Sequence, residues 1–422
     1  MLAKAYNLNR FSNLFKALSI TATTQITIQL ISLTSGIMVI RSLSITEYAL
    51  YTLANNMLGA MNILSNGGIV SGVISEGGKV WDDRNKLGAV VATGLDLRKR
   101  FAIISIIIIE AILLYLLKKN EATWLESILI CLSLMPAYIS NLSGSMYEIA
   151  PKLNQDLYPL QKNQLIANIG RLLMLTISIT FFPFTAIALL SDGIPKIITN
   201  IRLKAISEKF ANVYNNKDKE IKRRILSNVK RVLPSDIYNI FSAQITVWIL
   251  TIFGSTSAIA QVGALYRIAS VLTLFNVVFN TIIIPRYSRL KEDKTILIEK
   301  LLNIIFVLLI VCSTLIFIIY LFSKQVTWIL GNNYKGLETE ITLVMILFSI
   351  NFFSNSVNTL CISRSWAINP LLIIIINIIS ILIGIYIFNP STLYQTLIFN
   401  IFVSSVMALI NILFAFRRVY IL

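Results

Sequence analysis

Histidine is missing from all 422 residues, and cysteine occurs only three times. Without an imidazole, the commonest general acid–base and the commonest zinc ligand are both absent. Cys131, Cys312 and Cys361 lie inside or at the end of apolar runs and form no C-x-x-C pair, so they read as small packing residues, not as disulfides or metal ligands. Charge is scarce as well. Asp, Glu, Lys and Arg make up 14% of the chain, against about 25% in a soluble globule.

Apolar residues take that place, at 56% of the sequence and a mean hydropathy of +0.75. They fall into runs such as Phe101–Leu117, Leu297–Phe322 and Leu371–Phe388, near the roughly 20 residues a helix needs to cross about 30 Å of hydrocarbon. The pattern predicts an all-α polytopic membrane protein of about 12 transmembrane helices. They are expected near 18–40, 48–74, 101–117, 127–149, 165–182, 184–200, 232–253, 259–284, 297–322, 338–360, 370–388 and 392–415. The first run has Lys4, Arg10 and Lys16 before it and no small-residue cleavage signature, so it reads as a membrane helix and not a removable signal.

A net charge of +17 raises the question of a polyanionic partner, which the placement of the bases answers. With the N-terminus inside, about 30 of the 37 Lys and Arg fall in cytoplasmic segments, and about five (Arg41, Lys118, Lys119, Lys324, Lys335) fall outside. The asymmetry predicts both termini in the cytoplasm and explains the charge without nucleic acid. The densest basic segment, Ile201–Arg231, separates six helices from six and divides the chain into bundles at 1–200 and 232–422. Trp81–Arg100 reads as a cytoplasmic amphipathic helix. Leu87, Val90, Val91, Leu95 and Leu97 alternate with Asp82, Asp83, Arg84, Lys86 and Arg98–Arg100. Lying on the inner leaflet and forming an ordinary solvated helix are both open to it.

The halves share a short match. Ala49-Leu50-Tyr51-Thr52-Leu53-Ala54 and Ala264-Leu265-Tyr266-Arg267-Ile268-Ala269 lie 215 residues apart, and that offset also sets Gln29 against Gln244. Such a parallel six-plus-six repeat places a substrate path in a central cavity between the halves. Amide stripes at helical spacing mark its candidate walls: Gln25, Gln29, Ser32 and Gly36; Asn55, Gly59, Asn62 and Asn66; Asn351, Asn355 and Asn358; Asn400, Ser404 and Asn411. Hydrogen bonding within a packed bundle is the bland alternative for any one stripe.

Charges at membrane depth are rarer. Arg267 corresponds by the repeat to Thr52, which directs Arg267, Ser270 and Thr281 inward, although Thr273, Asn276 and Asn280 form an opposing stripe. Arg171 either snorkels to the headgroups or pairs with Asp192, which lies at a similar depth beside Gly193 and Pro195 in a helix those residues should break. Guanidinium groups bind phosphate bidentately, and amides both donate to and accept from hydroxyls. A cavity with Arg171, Arg267, Asn55, Asn62, Asn355, Asn358, Gln29 and Gln244 would suit a ligand with a phosphate head and a hydroxyl-rich body. Asp192, Asp236 and Glu148 are candidates for coupling to a proton or sodium gradient, with no other cofactor expected.

Three local patterns resemble a known family. Val39-Ile40-Arg41-Ser42-Leu43-Ser44-Ile45-Thr46-Glu47-Tyr48-Ala49-Leu50-Tyr51 is similar to the R-x-L-x-x-x-E-[YF]-G-x-Y turn of bacterial polysaccharide exporters, departing at Ala49. Gly331-Asn332-Asn333-Tyr334 resembles their G-x-x-Y turn, and Pro285-Arg286-Tyr287-Ser288-Arg289-Leu290 their exit from helix 8. These are the Wzx-type O-unit flippases of the multidrug/oligosaccharidyl-lipid/polysaccharide exporter superfamily. The resemblance spans the chain. It implies alternating access, an undecaprenyl-diphosphate-linked oligosaccharide as substrate, membrane lipids and other polysaccharide assembly proteins as partners, a monomer, and a bacterial inner membrane.

Other readings remain. A major-facilitator transporter needs a base after the acid in the loop that Gly78-Lys79-Val80-Trp81-Asp82 begins, and Asp83 stands there. A drug or cation antiporter of the same superfamily would favour buried carboxylates. A glycan polymerase or ligase would need a large outer loop with catalytic groups, whereas Ser323–Leu337 is the longest here, so no enzyme is expected.

Overall fold

The computed structural model describes residues 23–212, 218–288, 290, 293–364, 366 and 368–421. Its chain divides into two compact units, Met1–Ile245 and Thr246–Leu422. Helices of the first are α1 (Thr23–Ser42), α2 (Ile45–Asn66), α3 (Ile69–Gly77), α4 (Arg84–Lys119), α5 (Trp124–Tyr147), α6 (Ile149–Leu153), α7 (Tyr158–Phe181) and α8 (Thr185–Glu208). α9 (Lys219–Phe253) carries the chain across the division. The second unit holds α10 (Thr256–Ala269), α11 (Leu272–Val278), α12 (Ile284–Ser288), α13 (Lys294–Leu321), α14 (Ser323–Leu330), α15 (Glu338–Ser363), α16 (Pro370–Phe388) and α17 (Leu393–Ile421).

Among the described residues, nine helices are long and apolar enough to cross a membrane, and the bent pair α2–α3 makes a tenth. α8, with Asp192, Lys196 and Arg202, and α9, which opens on a run of charges, complete the expected dozen.

Several elements differ from the periodicity reading. The helix expected over 48–74 breaks at Gly67–Gly68 and bends by 46°. Both glycines have positive φ, 45° and 83°, a region costly for residues with a Cβ. A Cβ on Gly68 would stand 2.7 Å from Cβ of Val232, so the break is also where α9 approaches. In contrast, α8 runs unbroken through Pro195. Gly193 serves packing instead, since a Cβ there would meet Pro136 Cβ at 2.8 Å and Ala137 N at 2.9 Å.

The amphipathic segment 81–100 does not lie on a membrane surface. It is the first half of α4, a single 36-residue helix about 54 Å long at 1.5 Å per residue. Leu87, Val90, Val91 and Leu97 are buried against Ile69, Val73, Met146, Ile149, Ala211, Ile221, Ile225 and Val229. Protein, not lipid, covers the apolar face. Ile201–Arg231 is likewise largely helical, completing α8 and opening α9. Asn228 Nδ2 donates to Gly68 O at 2.8 Å and Ser71 Oγ at 2.9 Å, and Arg224 Nε pairs with Glu76 Oε2 at 3.0 Å.

The turn before α2 is bound into its unit. Ser44 caps α2 by accepting from Glu47 N, while Glu47 accepts from Thr185 N through Oε2 and from Thr185 Oγ1 through its carbonyl, both at 2.6 Å. In the second unit α10 is capped in the same way, Ser255 accepting from Ala258 N. The two caps are 211 residues apart, so the 215-residue match lies one turn further from its cap in α10 than in α2. After α11 the backbone passes through a π-helical stretch, Phe279–Ile283, which breaks the single helical period assumed over 259–284. Gly331, at φ 111° and ψ 174°, turns the chain so that Tyr334 is buried, its N–H donating to Gly331 O.

Candidate functional site

Within the N-terminal unit, α1, α2, α4, α5, α7 and α8 line an open cavity of about 510 Å³. Its lining is mostly amide, hydroxyl and cation: Asn62 from α2, Arg98 from α4, Asn141 and Ser145 from α5, Asn163, Gln164 and Asn168 from α7, Lys196 and Asn200 from α8. Glu148 supplies its carboxylate.

Beside it lies a buried charge cluster. Arg171 Nε is 3.2 Å from Asp192 Oδ1, and Lys196 Nζ is 2.6 Å from Asp192 Oδ2. Arg171 Nη2 also donates to Tyr51 Oη at 3.3 Å. Arg171 therefore pairs with Asp192 and does not snorkel. One carboxylate serves two cations, which leaves the cluster one positive charge in excess, and Lys196 presents it to the cavity. An anionic ligand group there meets a preorganised ammonium and competes with Asp192 for it.

Asn62 reaches the cavity, its Nδ2 donating to Leu58 O at 2.9 Å. Asn55 donates to Tyr51 O, and Asn66 Oδ1 accepts from Val70 N, so the lower end of that stripe is spent on the α2–α3 break. Gln25 Nε2 donates to Gln164 Oε1 at 3.3 Å, tying α1 to α7, while Gln29 is half-buried. Glu148 pairs with Lys152 at 2.6 Å.

Arg267 is in the C-terminal unit and half-buried. The side chains of Gln244 and Thr281 lie outside the described residues. Of the α15 stripe, Asn351 and Asn355 are exposed and Asn358 half-buried, opposite a buried face with Phe352, Phe353 and Val357. The α17 stripe behaves differently. Asn411 Nδ2 donates to Ser354 Oγ at 2.8 Å, so bundle packing accounts for it. Asp236 is half-buried on α9.

Arg98 corrects an expectation. Instead of lying on the polar face of a cytoplasmic amphipathic helix it is 3% exposed, with Nη1 donating to Leu142 O at 2.9 Å. The same stripe logic applied to α7 and α8 would have found the missed wall residues. Gln164, Asn168 and Arg171 fall at i, i+4 and i+7, as do Asp192, Lys196 and Thr199.

Residues 37–338 match the family described as polysaccharide biosynthesis protein. No curated protein sequence matches the chain. Among solved structures it is similar to an inward-facing multidrug resistance MATE transporter of the MOP superfamily. The TM-score is 0.72 at 13% identity, covering 94% of this chain and 98% of the other. An outward-facing multidrug resistance MATE transporter of the same superfamily gives 0.65 at 16%, covering 96% and 95%. A MATE protein in complex with MaD3S gives 0.67 at 15%, covering 96% and 95%. The fold is thus the multi-pass fold of that superfamily. With the family match spanning most of its length, the chain belongs to the polysaccharide biosynthesis protein family.

Proposed function

We propose that the chain carries an undecaprenyl-diphosphate-linked oligosaccharide from the cytoplasmic to the periplasmic leaflet of a bacterial inner membrane. The carrying observation is the Arg171–Asp192–Lys196 cluster at the wall of an amide-lined cavity. Its excess positive charge suits a diphosphate or an acidic sugar, and the amides suit glycan hydroxyls. A cavity of about 510 Å³ lies within the common range for small-ligand sites, so it would hold part of the head group while the polyprenyl tail stays in lipid.

Asn55, Asn62, Asn355 and Asn358 are the proposed glycan contacts, with Arg267, Gln29 and Gln244 as further members in a cycle of alternating access by two six-helix bundles. The basic residues set the orientation, with both termini cytoplasmic. For gradient coupling, Asp192 is committed to two cations and Glu148 to Lys152, which of the three candidates leaves Asp236 without such an ion pair among the described residues.

The test is deletion of the gene followed by analysis of lipid-linked sugars. Accumulation of one undecaprenyl-diphosphate-linked sugar on the inner leaflet, cleared by the wild-type gene, is expected. An unchanged lipid pool overturns the reading. A drug-transport reading has less support, because the buried carboxylate such a cation would need is already held by Arg171 and Lys196.

A further inference from the structure

A second cavity lies in the C-terminal unit, where α12 meets α13. It measures about 260 Å³ and is lined by Ile283, Leu290, Ile304 and Val307, with Arg286, Lys300 and Asn303 as its polar members. The order of these residues along α13 is informative. Lys300, Asn303, Ile304 and Val307 fall at i, i+3, i+4 and i+7, one face of a helix. Moving into the helix, that face passes from charge to amide to hydrocarbon.

The end of the π-helical stretch and α12 repeat the gradient in reverse. Ile283 lies deeper and Arg286 nearer the exit, and both line the same groove. Arg286 is exposed and has no carboxylate partner among the described residues, while the carboxylate recorded on Lys300 is that of its exposed neighbour Glu299. Beyond the groove, Val307, Phe306 and Ile310 are 50%, 63% and 49% exposed, so the apolar wall continues onto the outer face of α13. The other side is held rigid. Arg364 Nη1 donates to Tyr287 O and Leu290 O, both at 3.1 Å.

From this gradient we infer that the α12–α13 groove is a binding site for an anionic phospholipid. Its phosphate sits between Arg286 and Lys300, its ester region beside Asn303, and one acyl chain along Ile283, Ile304 and Val307. The chemistry selects for a net negative headgroup. Two cations reward it, whereas a choline headgroup brings its own ammonium beside them. The groove is separate from the cavity proposed for the transported glycan, so the inference does not depend on that reading.

Native mass spectrometry of the purified full-length protein in detergent tests it, with phosphatidylglycerol and phosphatidylcholine of matched acyl chains as probes. Wild type is expected to retain phosphatidylglycerol in preference. Arg286→Gln and Lys300→Gln should each weaken that retention roughly five-fold, about the contribution of one surface cation near anionic lipid. Val307→Trp, which fills the apolar part, should weaken it with both cations in place, and Arg286→Lys should keep most of it. All three side chains are exposed, and an unchanged melting temperature confirms that each variant is folded. Equal retention of the two lipids by wild type overturns the proposal. So does unaltered preference in the variants, or displacement of phosphatidylglycerol by polyprenyl phosphate at equimolar ratio, which would assign the groove to the carrier lipid.

Discussion

At Asp192 a single carboxylate holds Arg171 and Lys196, and the two cations are not equivalent. Arg171 has its side chain 13% exposed and also bonds Tyr51, whereas Lys196 is 33% exposed and lines the cavity. Removing Arg171 leaves Asp192 with the more solvated partner, and removing Asp192 leaves two buried cations together. Breaking a buried pair from one side costs about 3–5 kcal/mol in soluble proteins, often more than replacing both members. The double change Arg171→Met/Asp192→Leu should therefore melt in detergent at a higher temperature than Asp192→Leu alone. Lys196→Gln should leave the melting temperature near wild type, because Arg171 still neutralises Asp192. It should reduce polymer export per unit of membrane protein by roughly ten-fold, the loss of one charge-assisted contact. Normal export by Lys196→Gln would remove the cluster from the transport cycle.

The depths of Arg171 and Asp192 made their meeting legible in the sequence. Lys196 was less so, because a lysine one turn along reads as an ordinary i, i+4 neighbour until the cavity shows what it faces. Arg98 was misplaced because periodicity says which residues share a face but not what that face meets.

At the scale of elements, hydrophobic runs identified nearly every helix, and the errors cluster where two elements are in close contact. Gly67–Gly68 lies inside a continuous apolar pattern, and only the approach of Val232 and the two positive φ values explain its break. Gly68→Ala should destabilise the protein by about 1–3 kcal/mol through strain and overlap together. Adding Val232→Ala should recover only the overlap part, and a full recovery measured by thermal melting would mean that the backbone conformation is unstrained.

The start of α4 offers a pH test. Asp83 caps it by accepting from the Lys86 and Asn85 N–H groups, and the Lys86 N–H, then the Lys86 ammonium 3.2 Å away, then the Asn85 N–H hold its carboxyl below the ordinary aspartate value. A depressed carboxyl stabilises the fold fully above its unfolded pKa, and that contribution is lost as pH falls through the folded value. Amide exchange at Asn85 and Lys86 should therefore open selectively, relative to the intrinsic rate, as pH falls below the ordinary aspartate value. Asp83→Asn should show no such step.

For the molecule as a whole, the charge asymmetry predicts sidedness that single cysteines can report. In a chain stripped of Cys131, Cys312 and Cys361, Lys335→Cys should react with an impermeant maleimide added to intact cells. Lys219→Cys should react only after the inner membrane is opened. The opposite pattern would invert the topology. The six-plus-six plan was readable because membrane spans announce themselves by length and composition.

One feature of the first unit bears on how the chain is made. The cluster under α4 joins Leu87, Val90 and Val91 to Ile225 and Val229, which emerge from the ribosome about 140 residues later. At 5–20 residues per second, the part of the 84–97 face that α9 covers stays open on the order of ten seconds. During synthesis the segment is an orphaned amphipathic helix beside a bilayer, and the membrane surface is the nearest cover for it. The leaflet-bound state, one of the two that its sequence leaves open, is thus expected of the nascent chain. Crosslinking of arrested chains should find residues 87–91 against lipid when translation stops before Lys219, and against α9 once residue 229 has cleared the exit tunnel.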